Sequence, residues 1–193
     1  MNDRQNDIVR ETLKLISQRG IQELTIKKIA AAIGVTEPAI YRHFASKSDI
    51  LQAVVDKIEE TRNAVVLTAA KERGEVSAIL HAFFIGQARL FEQEPTLTVI
   101  LFSEDIFRND GILFQRIQAT MDQTFRWIED HLEQGKRSGE FKKGLDSGTS
   151  ALMLIGGFRL LVSTWRMENF SFSLEDRTKR FVDSAKDLLR SHR

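Results

Sequence analysis

The segment between Thr36 and Lys47 contains side chains that suit recognition of nucleic acid bases. Arg42 can donate two hydrogen bonds to the O6 and N7 atoms of guanine, and Glu37 can accept one from the amino group of cytosine. Ala39 is small enough to touch a thymine methyl group. These residue types therefore predict that Glu37, Ala39 and Arg42 read bases.

A second set of side chains suits phosphate contacts, which fix a protein on DNA without reading its sequence. The hydroxyl of Tyr41 and the ring of His43 can bond phosphate oxygens. Helix starts also attract phosphates, because their backbone N–H groups and the helix dipole favour an anion. We predict phosphate contacts from Thr25, Lys27, Tyr41, His43 and Lys47, with Thr36 and Pro38 in a supporting role.

The elements that must position these side chains are two helices joined by a short turn. Apolar residues at Ile26, Ile29, Ala30 and Ile33 repeat with helical spacing, and Thr25 is a good N-cap before them. Gly34 ends this helix. Thr36 then caps a short helix over about 37–44, in which Pro38 is tolerated in the first turn and Ile40 and Phe44 face inward. A helix, a turn containing glycine and a second helix form a helix-turn-helix, whose second helix enters the major groove.

The rest of the chain is predicted to be helical, so the fold class is all-α. The 193 residues are 42% hydrophobic and 28% charged, which is typical of a folded protein, and only two are proline. Helical periodicity dominates and strand-like alternation is scarce. Besides the motif, we predict helices over about 7–18, 46–70, 76–93, 95–107, 112–138, 146–167 and 174–191.

Composition argues against several other classes of protein. The chain has no cysteine, and its four histidines lack metal-ligand spacing, so no metal, cofactor or enzymatic activity is expected. The longest apolar run, Ala151–Trp165, is too short to span a membrane and contains Arg159, which favours a cytoplasmic protein. Residues 1–50 contain eight basic and six acidic residues, too small an excess for an architectural DNA-bending protein. A protein–protein adaptor stays open as an alternative if Arg42 and Lys47 do not face a groove.

The segments LTIKKIAAAIGV (24–35) and AIYRHFASK (39–47), with Leu51, resemble the DNA-binding domain of the TetR/AcrR repressor family. The resemblance implies a nine-helix fold, with a three-helix DNA-binding domain over residues 1–47 and a dimerisation and effector domain over 48–193. Residues 46–70 would connect the two. It also implies a homodimer on a palindromic operator of double-stranded DNA in the nucleoid. Ile26 stands where a hydroxyl residue is frequent in the family, and Glu37 is acidic at a base-reading position.

The resemblance further implies that the last two helices pair with those of a second chain and that a small effector binds in the C-terminal domain. The Gly156-Gly157 pair in an apolar helix fits a close helix contact. The residues predicted for the dimer interface are Leu154, Phe158, Leu161, Trp165, Phe181, Ala185 and Leu188. The residues predicted for a largely apolar effector pocket are His81, Phe84, Gln87, Phe91, Phe102, Phe125 and Arg159.

A shorter resemblance favours a different partner. The stretch FEQEPTLT (91–98) with Ile100 and Leu101 is similar to nucleoid-occlusion members of the same family, which bind DNA and a cell-division protein. The sequence therefore predicts a DNA-binding repressor released by a small apolar effector. The alternative is a nucleoid-occlusion protein that has no small effector.

Overall fold

The computed structural model describes residues 1–102 and 111–191, and within these ranges the chain forms nine α-helices and no β-strand. The predicted all-α fold is therefore confirmed. The end of the predicted helix over 95–107 lies outside the described residues. None of the described helices has both the length and the apolar character that a membrane span requires. In chain order the helices are α1 (Asp3–Arg19), α2 (Ile26–Ala32), α3 (Glu37–Tyr41), α4 (Lys47–Ala69), α5 (Val76–Gln93), α6 (Thr96–Leu101), α7 (Gly111–Arg137), α8 (Ser147–Met167) and α9 (Leu174–Leu189).

The first compact unit comprises residues 1–61 and 95–118. Its core is a set of branched aliphatic side chains from α1, α2 and α3, because each of these helices has one apolar stripe that must be covered. Ile8, Ile16, Ile29 and Ile40 are all at most 1% exposed. Helix α6 packs on α1 in this unit, although the sequence placed α6 in the second domain.

The turn between α2 and α3 is set by the conformation of one glycine. Gly34 has φ of +69°, and its N–H donates to the carbonyl of Ala31. The N–H of Val35 reaches back to the carbonyl of Ala30 at 2.9 Å. These two bonds form a Schellman motif, which satisfies the last carbonyls of α2 and turns the chain sharply toward α3.

The second compact unit, residues 62–94 and 119–193, is organised around an antiparallel pair of helices, α5 and α9. At one end, Arg190 Nη2 bonds Glu75 Oε2 at 2.7 Å. At the other end, the carboxylate of Glu92 accepts the backbone N–H groups of Leu174 and Glu175, which begin α9. A carboxylate at a helix N-terminus is favourable because the helix dipole is positive there. Both ends of the pair are thus fixed by charged groups.

The interior of this second unit is aromatic. The ring of Phe84 lies 5.4 Å from that of Phe158 and 6.3 Å from that of Phe181, centroid to centroid. Phe91 stacks on Phe158 at 6.1 Å. Gly157 lets α8 and α9 approach closely, because a Cβ built there would lie 2.7 Å from the Phe181 ring. The close helix contact predicted for the glycine pair is therefore made inside one protomer, by Gly157.

Helix α8 is apolar on two opposite faces. Its inner face is covered by the chain's own core, with Leu154, Phe158 and Trp165 at most 7% exposed. At 3.6 residues per turn, a second set of residues falls within an arc of about 100° on the other side. Leu152, Met153, Leu160 and Met167 in that arc are 63–73% exposed, and no heavy atom lies within 4 Å of a Cβ built on Gly156. We call Leu152, Met153, Gly156, Leu160 and Met167 the outer α8 face.

The positive φ of Gly34 predicts that replacing this glycine lowers the stability of the protein. A left-handed conformation costs an L-residue roughly 1–2 kcal/mol, so Gly34→Ala is expected to lower the free energy of unfolding by about that amount. Nothing within 4 Å would clash with the new methyl group, so the loss would come from the backbone alone. Chemical denaturation monitored by circular dichroism measures it.

Gly144→Ala is the matched control for this variant. Gly144 also has open space around its Cβ position, but its φ lies outside the left-handed range. The control should unfold within about 0.5 kcal/mol of the parent, as surface substitutions usually do. Equal stability of the two variants would show that the conformation of Gly34 is not a constraint on the turn.

Candidate nucleic-acid interface

The inner side of α3 is anchored in the core while its outer side is open. Ile40 is fully buried and Phe44, just after the helix, is 8% exposed. On the opposite side Glu37, Tyr41 and Arg42 are exposed, Tyr41 by 51%. The α-helix ends at Tyr41, earlier than predicted, and the N–H groups of His43 and Phe44 then both donate to the carbonyl of Ile40.

Several cations of the first unit are neutralised by a neighbouring carboxylate. Arg10 pairs with Asp7 at 2.6 Å and Lys14 with Glu11 at 2.7 Å. Lys28 bonds Glu23 at 2.6 Å, and this hydrogen bond lowers the pKa of the Glu23 carboxyl. Charges held in such pairs attract a phosphate only weakly, because each is already offset.

The cations predicted to contact DNA differ from these. Within the part of the chain that the structure describes, the side chains of Lys27, Arg42 and Lys47 make no ion pair or hydrogen bond. Lys27 and Arg42 are exposed and Lys47 is half-buried. Glu37 likewise has no partner among the described residues. Three unpaired cations and one unpaired carboxylate therefore accompany the helix-turn-helix.

The two predicted N-cap threonines behave differently. The Thr25 hydroxyl accepts the N–H of Lys28 at 3.2 Å, so this side chain caps α2 as predicted. Thr36 occupies the N-cap position of α3, but its side chain makes no capping hydrogen bond, which leaves the exposed hydroxyl available. Pro38 stands in the first turn of α3, and Ala39 is half-buried.

His43 is held through its backbone. Its carbonyl accepts a hydrogen bond of 3.2 Å from the side-chain amide of Gln5 in α1. The same amide accepts the N–H of Asn2, as part of the capping box that begins α1. The ring of His43 is half-buried. Ser46 then caps the start of α4, since its hydroxyl accepts the N–H of Asp49 at 3.1 Å, and this places Lys47 in the first turn.

The residues predicted for an effector pocket are dispersed. Phe102 belongs to the first unit, whereas the other six belong to the second. Phe84 and Phe91 are at most 2% exposed and form part of the aromatic core already described. Gln87 is 9% exposed. His81, Phe125 and Arg159 are half-buried.

The predicted dimer residues lie mostly on the protomer's own packing faces. Leu154, Phe158 and Trp165 are covered within the chain, so they have almost no surface left for a partner. Leu161, Phe181 and Ala185 are half-buried, and the Phe181 ring packs on Gly157 of the same chain. Only Leu188, at 71% exposed, is open among these seven residues.

Sequence reasoning missed the outer α8 face and also Arg62, a half-buried residue of α4. A helical projection of residues 147–167 would have shown that α8 has two apolar faces, and a helix that is apolar all round is normally covered all round. Arg62 follows the polar run EET (59–61), and nothing in that run distinguishes it from a solvated residue.

Comparison with known proteins agrees with this architecture. The model of "Bacterial regulatory proteins, tetR family" matches residues 8–54, and that of "YsiA-like protein, C-terminal region" matches residues 48–189. Nucleoid occlusion factor SlmA of Citrobacter koseri is 30% identical over 154 residues, which cover 79% of this chain and 75% of that protein.

Two solved structures share the fold over nearly the whole chain. The ketosteroid transcriptional regulator KstR2 of Mycobacterium tuberculosis superposes with a TM-score of 0.84 at 17% identity, covering 100% of this chain and 97% of that one. The regulator FadR from Bacillus subtilis, in complex with stearoyl-CoA, superposes with a TM-score of 0.74 at 24% identity, covering 96% and 97%. The second family model alone spans well over half of the sequence. The chain therefore belongs to the tetR family of bacterial regulatory proteins and is a DNA-binding transcriptional regulator.

Proposed function

We propose that this regulator is a repressor, which binds a palindromic operator in the nucleoid as a homodimer and leaves it when a small effector binds. The observation that carries the proposal is the open face of α3, where Glu37, Tyr41 and Arg42 are exposed while Ile40 is buried beneath them. It acts by binding alone, without catalysis.

The residues of the helix-turn-helix divide into two roles. Arg42 donates to a guanine edge, Glu37 accepts from a cytosine, and Ala39 lies against a thymine methyl. Lys27 and Lys47, whose charges are unpaired within the described residues, bind phosphates from either side of α3. Thr25, Tyr41 and His43 add phosphate contacts, while Thr36 and Pro38 set the approach of α3. These assignments make residues 1–47 the DNA-binding domain and residues 48–193 the regulatory one.

Dimerisation uses the outer α8 face. Four exposed apolar side chains on one arc of a helix form an unusual surface for a lone protomer, because they would remain in contact with water. Gly156, at the centre of the arc, allows a second helix to approach closely. Leu188 of α9 extends the apolar surface. Two chains joined there would present two copies of α3, as half-sites about 34 Å apart require.

The effector is proposed to be a largely apolar molecule that binds in the regulatory domain. The FadR structure, which shares this fold, contains stearoyl-CoA, and a long acyl chain suits an aromatic interior such as that of the second unit. Release from DNA requires that the effector bind two conformations with different affinity. We assign the change between these two conformations to helix α4, because it begins with Lys47 and continues into the regulatory domain.

A second candidate function is nucleoid occlusion. The relative from Citrobacter koseri bears that name, and its identity to this chain is higher than that of the two structures described above. In that case the DNA-bound dimer would act on a cell-division partner and no small effector would release it. The two functions share the DNA interface and differ in the response to an effector.

The assignment of α3 predicts different effects for Arg42→Ala and Lys47→Ala on an operator selected from genomic fragments. Arg42→Ala should lower specific affinity by roughly 1–3 kcal/mol and relax the preference at one base pair. Lys47→Ala should weaken binding to all sequences and reduce the slope of affinity against salt by about one charge per protomer. Fluorescence anisotropy at several salt concentrations measures both effects.

Lys14→Ala is the control for these variants, because Lys14 is paired with Glu11 on α1. It should leave both the base preference and the salt slope unchanged. If Arg42→Ala and Lys47→Ala bound the selected operator like the parent protein, the proposed docking of α3 would be wrong.

The dimer assignment predicts that Leu160→Glu separates the protomers. The substitution places a charge in the proposed apolar interface, and an unpaired buried charge costs several kcal/mol, so dimer affinity should fall on the order of a hundredfold or more. Leu67→Glu is the matched control, since Leu67 is equally 65% exposed but lies on α4. Analytical ultracentrifugation should show monomers for the first variant and dimers for the second. Dimers in both would contradict the interface.

The effector assignment predicts that dodecanoyl-CoA or dodecanoate releases the regulator from its operator. Anisotropy of a labelled operator should fall as either compound is added, and the effect should saturate. A nucleoid-occlusion protein would remain bound at every concentration, which separates the two candidate functions.

A further inference from the structure

One arginine of the second unit joins α4 to α7 and lies close to α5 along the chain. Arg62 in α4 donates a hydrogen bond from Nε to the hydroxyl of Thr124 in α7, at 3.2 Å. Its Nη1 atom donates to the side chain of Asn63 at 2.9 Å. Three residues further along α4, Val65 touches α5, since a Cβ built on Gly86 would lie 3.0 Å from Val65 Cγ1. Arg62 is therefore positioned where α4 meets both α7 and α5.

The guanidinium of Arg62 has unused hydrogen-bonding capacity. An arginine side chain has five N–H donors, and two of these are used here. No carboxylate among the described residues pairs with Arg62. Two other arginines of the same unit do have such partners, since Arg89 is bound to Glu175 through two hydrogen bonds and Arg190 pairs with Glu75.

The charge of Arg62 is partly withdrawn from water. The side chain is half-buried, and its burial lowers the pKa of the guanidinium. Arginine nevertheless stays charged in proteins. A cation removed from water without a counter-charge is costly, so the site would be stabilised by an anion placed on the free N–H groups.

Aromatic rings follow Thr124 along α7. Thr124, which holds Arg62, is one helical turn before Trp127, and the Trp127 ring lies 4.9 Å from that of Phe83 in α5. His131, a further turn along α7, packs on Trp127 with ring centroids 4.1 Å apart. A ligand that binds Arg62 and extends along α7 from Thr124 would meet these rings.

Gln87 in α5 provides a second, independent sign of a ligand. It is 9% exposed, and its amide has no hydrogen-bond partner within the described residues. It lies one helical turn from both Phe83 and Phe91, so it shares the α5 face whose rings contact α7 and α8. An amide that has no protein partner at this position is free to bond a polar atom of a ligand.

We propose that Arg62, oriented by Thr124, binds the anionic group of the effector, and that Gln87 contacts a second polar atom of the same molecule. The effector is therefore amphipathic, with a carboxylate or phosphate and an apolar tail that packs near Phe83 and Trp127. This inference rests on the proposed function, because it assigns the chemistry of the effector postulated there. Because Arg62 lies on α4, the effector's anionic group would bind the same helix that begins with Lys47, a predicted phosphate contact.

The test compares three probes with the same twelve-carbon tail: dodecanoate, dodecanoyl-CoA and the neutral 1-dodecanol. Binding to the full chain is measured by isothermal titration calorimetry. The parent protein should bind at least one anionic probe about tenfold or more tightly than dodecanol, since charge-assisted hydrogen bonds are the strong ones. Preference for dodecanoate identifies a carboxylate as the anion, and preference for dodecanoyl-CoA identifies the phosphates.

Arg62→Gln should remove this preference while leaving dodecanol affinity within about twofold, and Arg62→Lys should retain most of it. Arg73→Gln is the control, because it removes the same charge from an exposed position. Thr124→Val is a second, milder variant that should weaken only the anionic probes, and melting temperatures report whether each variant is folded.

The outcomes separate this inference from the proposed function. If the parent and Arg62→Gln bind dodecanoate and dodecanoyl-CoA equally well, Arg62 is not the anion site. The proposal of an apolar effector would still stand. Equal binding of all three probes by the parent protein also overturns the assignment. If the parent protein binds none of the probes, both the anion site and the proposed apolar effector are overturned.

Discussion

The proposed reading of DNA depends on a helix that cannot be stable by itself. Helix α3 has five residues, and isolated helices shorter than about 12–15 residues are marginal in water. It forms because Ile40 is buried in the core of the first unit and because the Gly34 turn fixes where it starts. The outer residues of α3 are exposed, so the core does not determine their identity. The proposed recognition surface is thus held in place by buried residues beneath it.

The helix-turn-helix could be predicted from the sequence because all of its signals are local. Apolar spacing in α2, the glycine at its end and the Thr-Glu-Pro start of α3 each determine the backbone within a few residues. The faces of α8 could not be predicted in this way. Its sequence contains two apolar stripes, and only the packing of Phe181 on Gly157 decides which stripe the chain covers itself. Leu154, Phe158 and Trp165 were consequently assigned to a partner. Arg62 was missed because its partner Thr124 is distant in sequence.

In the first unit, some cations are paired with carboxylates and others are not. The chain has a formal net charge of only +1, so it has no general attraction for a polyanion. Carboxylates on α1 and before α2 neutralise Arg10, Lys14 and Lys28, whereas Lys27, Arg42 and Lys47 keep their full charge. The helix-turn-helix therefore keeps unpaired positive charge. A protein of this kind relies on geometry to bind DNA, since long-range attraction is weak and screened within about 10 Å at 0.1 M salt.

The amide of Gln5 has a practical consequence for handling this protein. It joins the capping box of α1 to the carbonyl of His43, so the first few residues belong to the scaffold of the DNA-binding motif. A start site moved past Gln5 would remove the helix cap and the hydrogen bond to His43 together. Protein made for operator selection should therefore keep its first five residues.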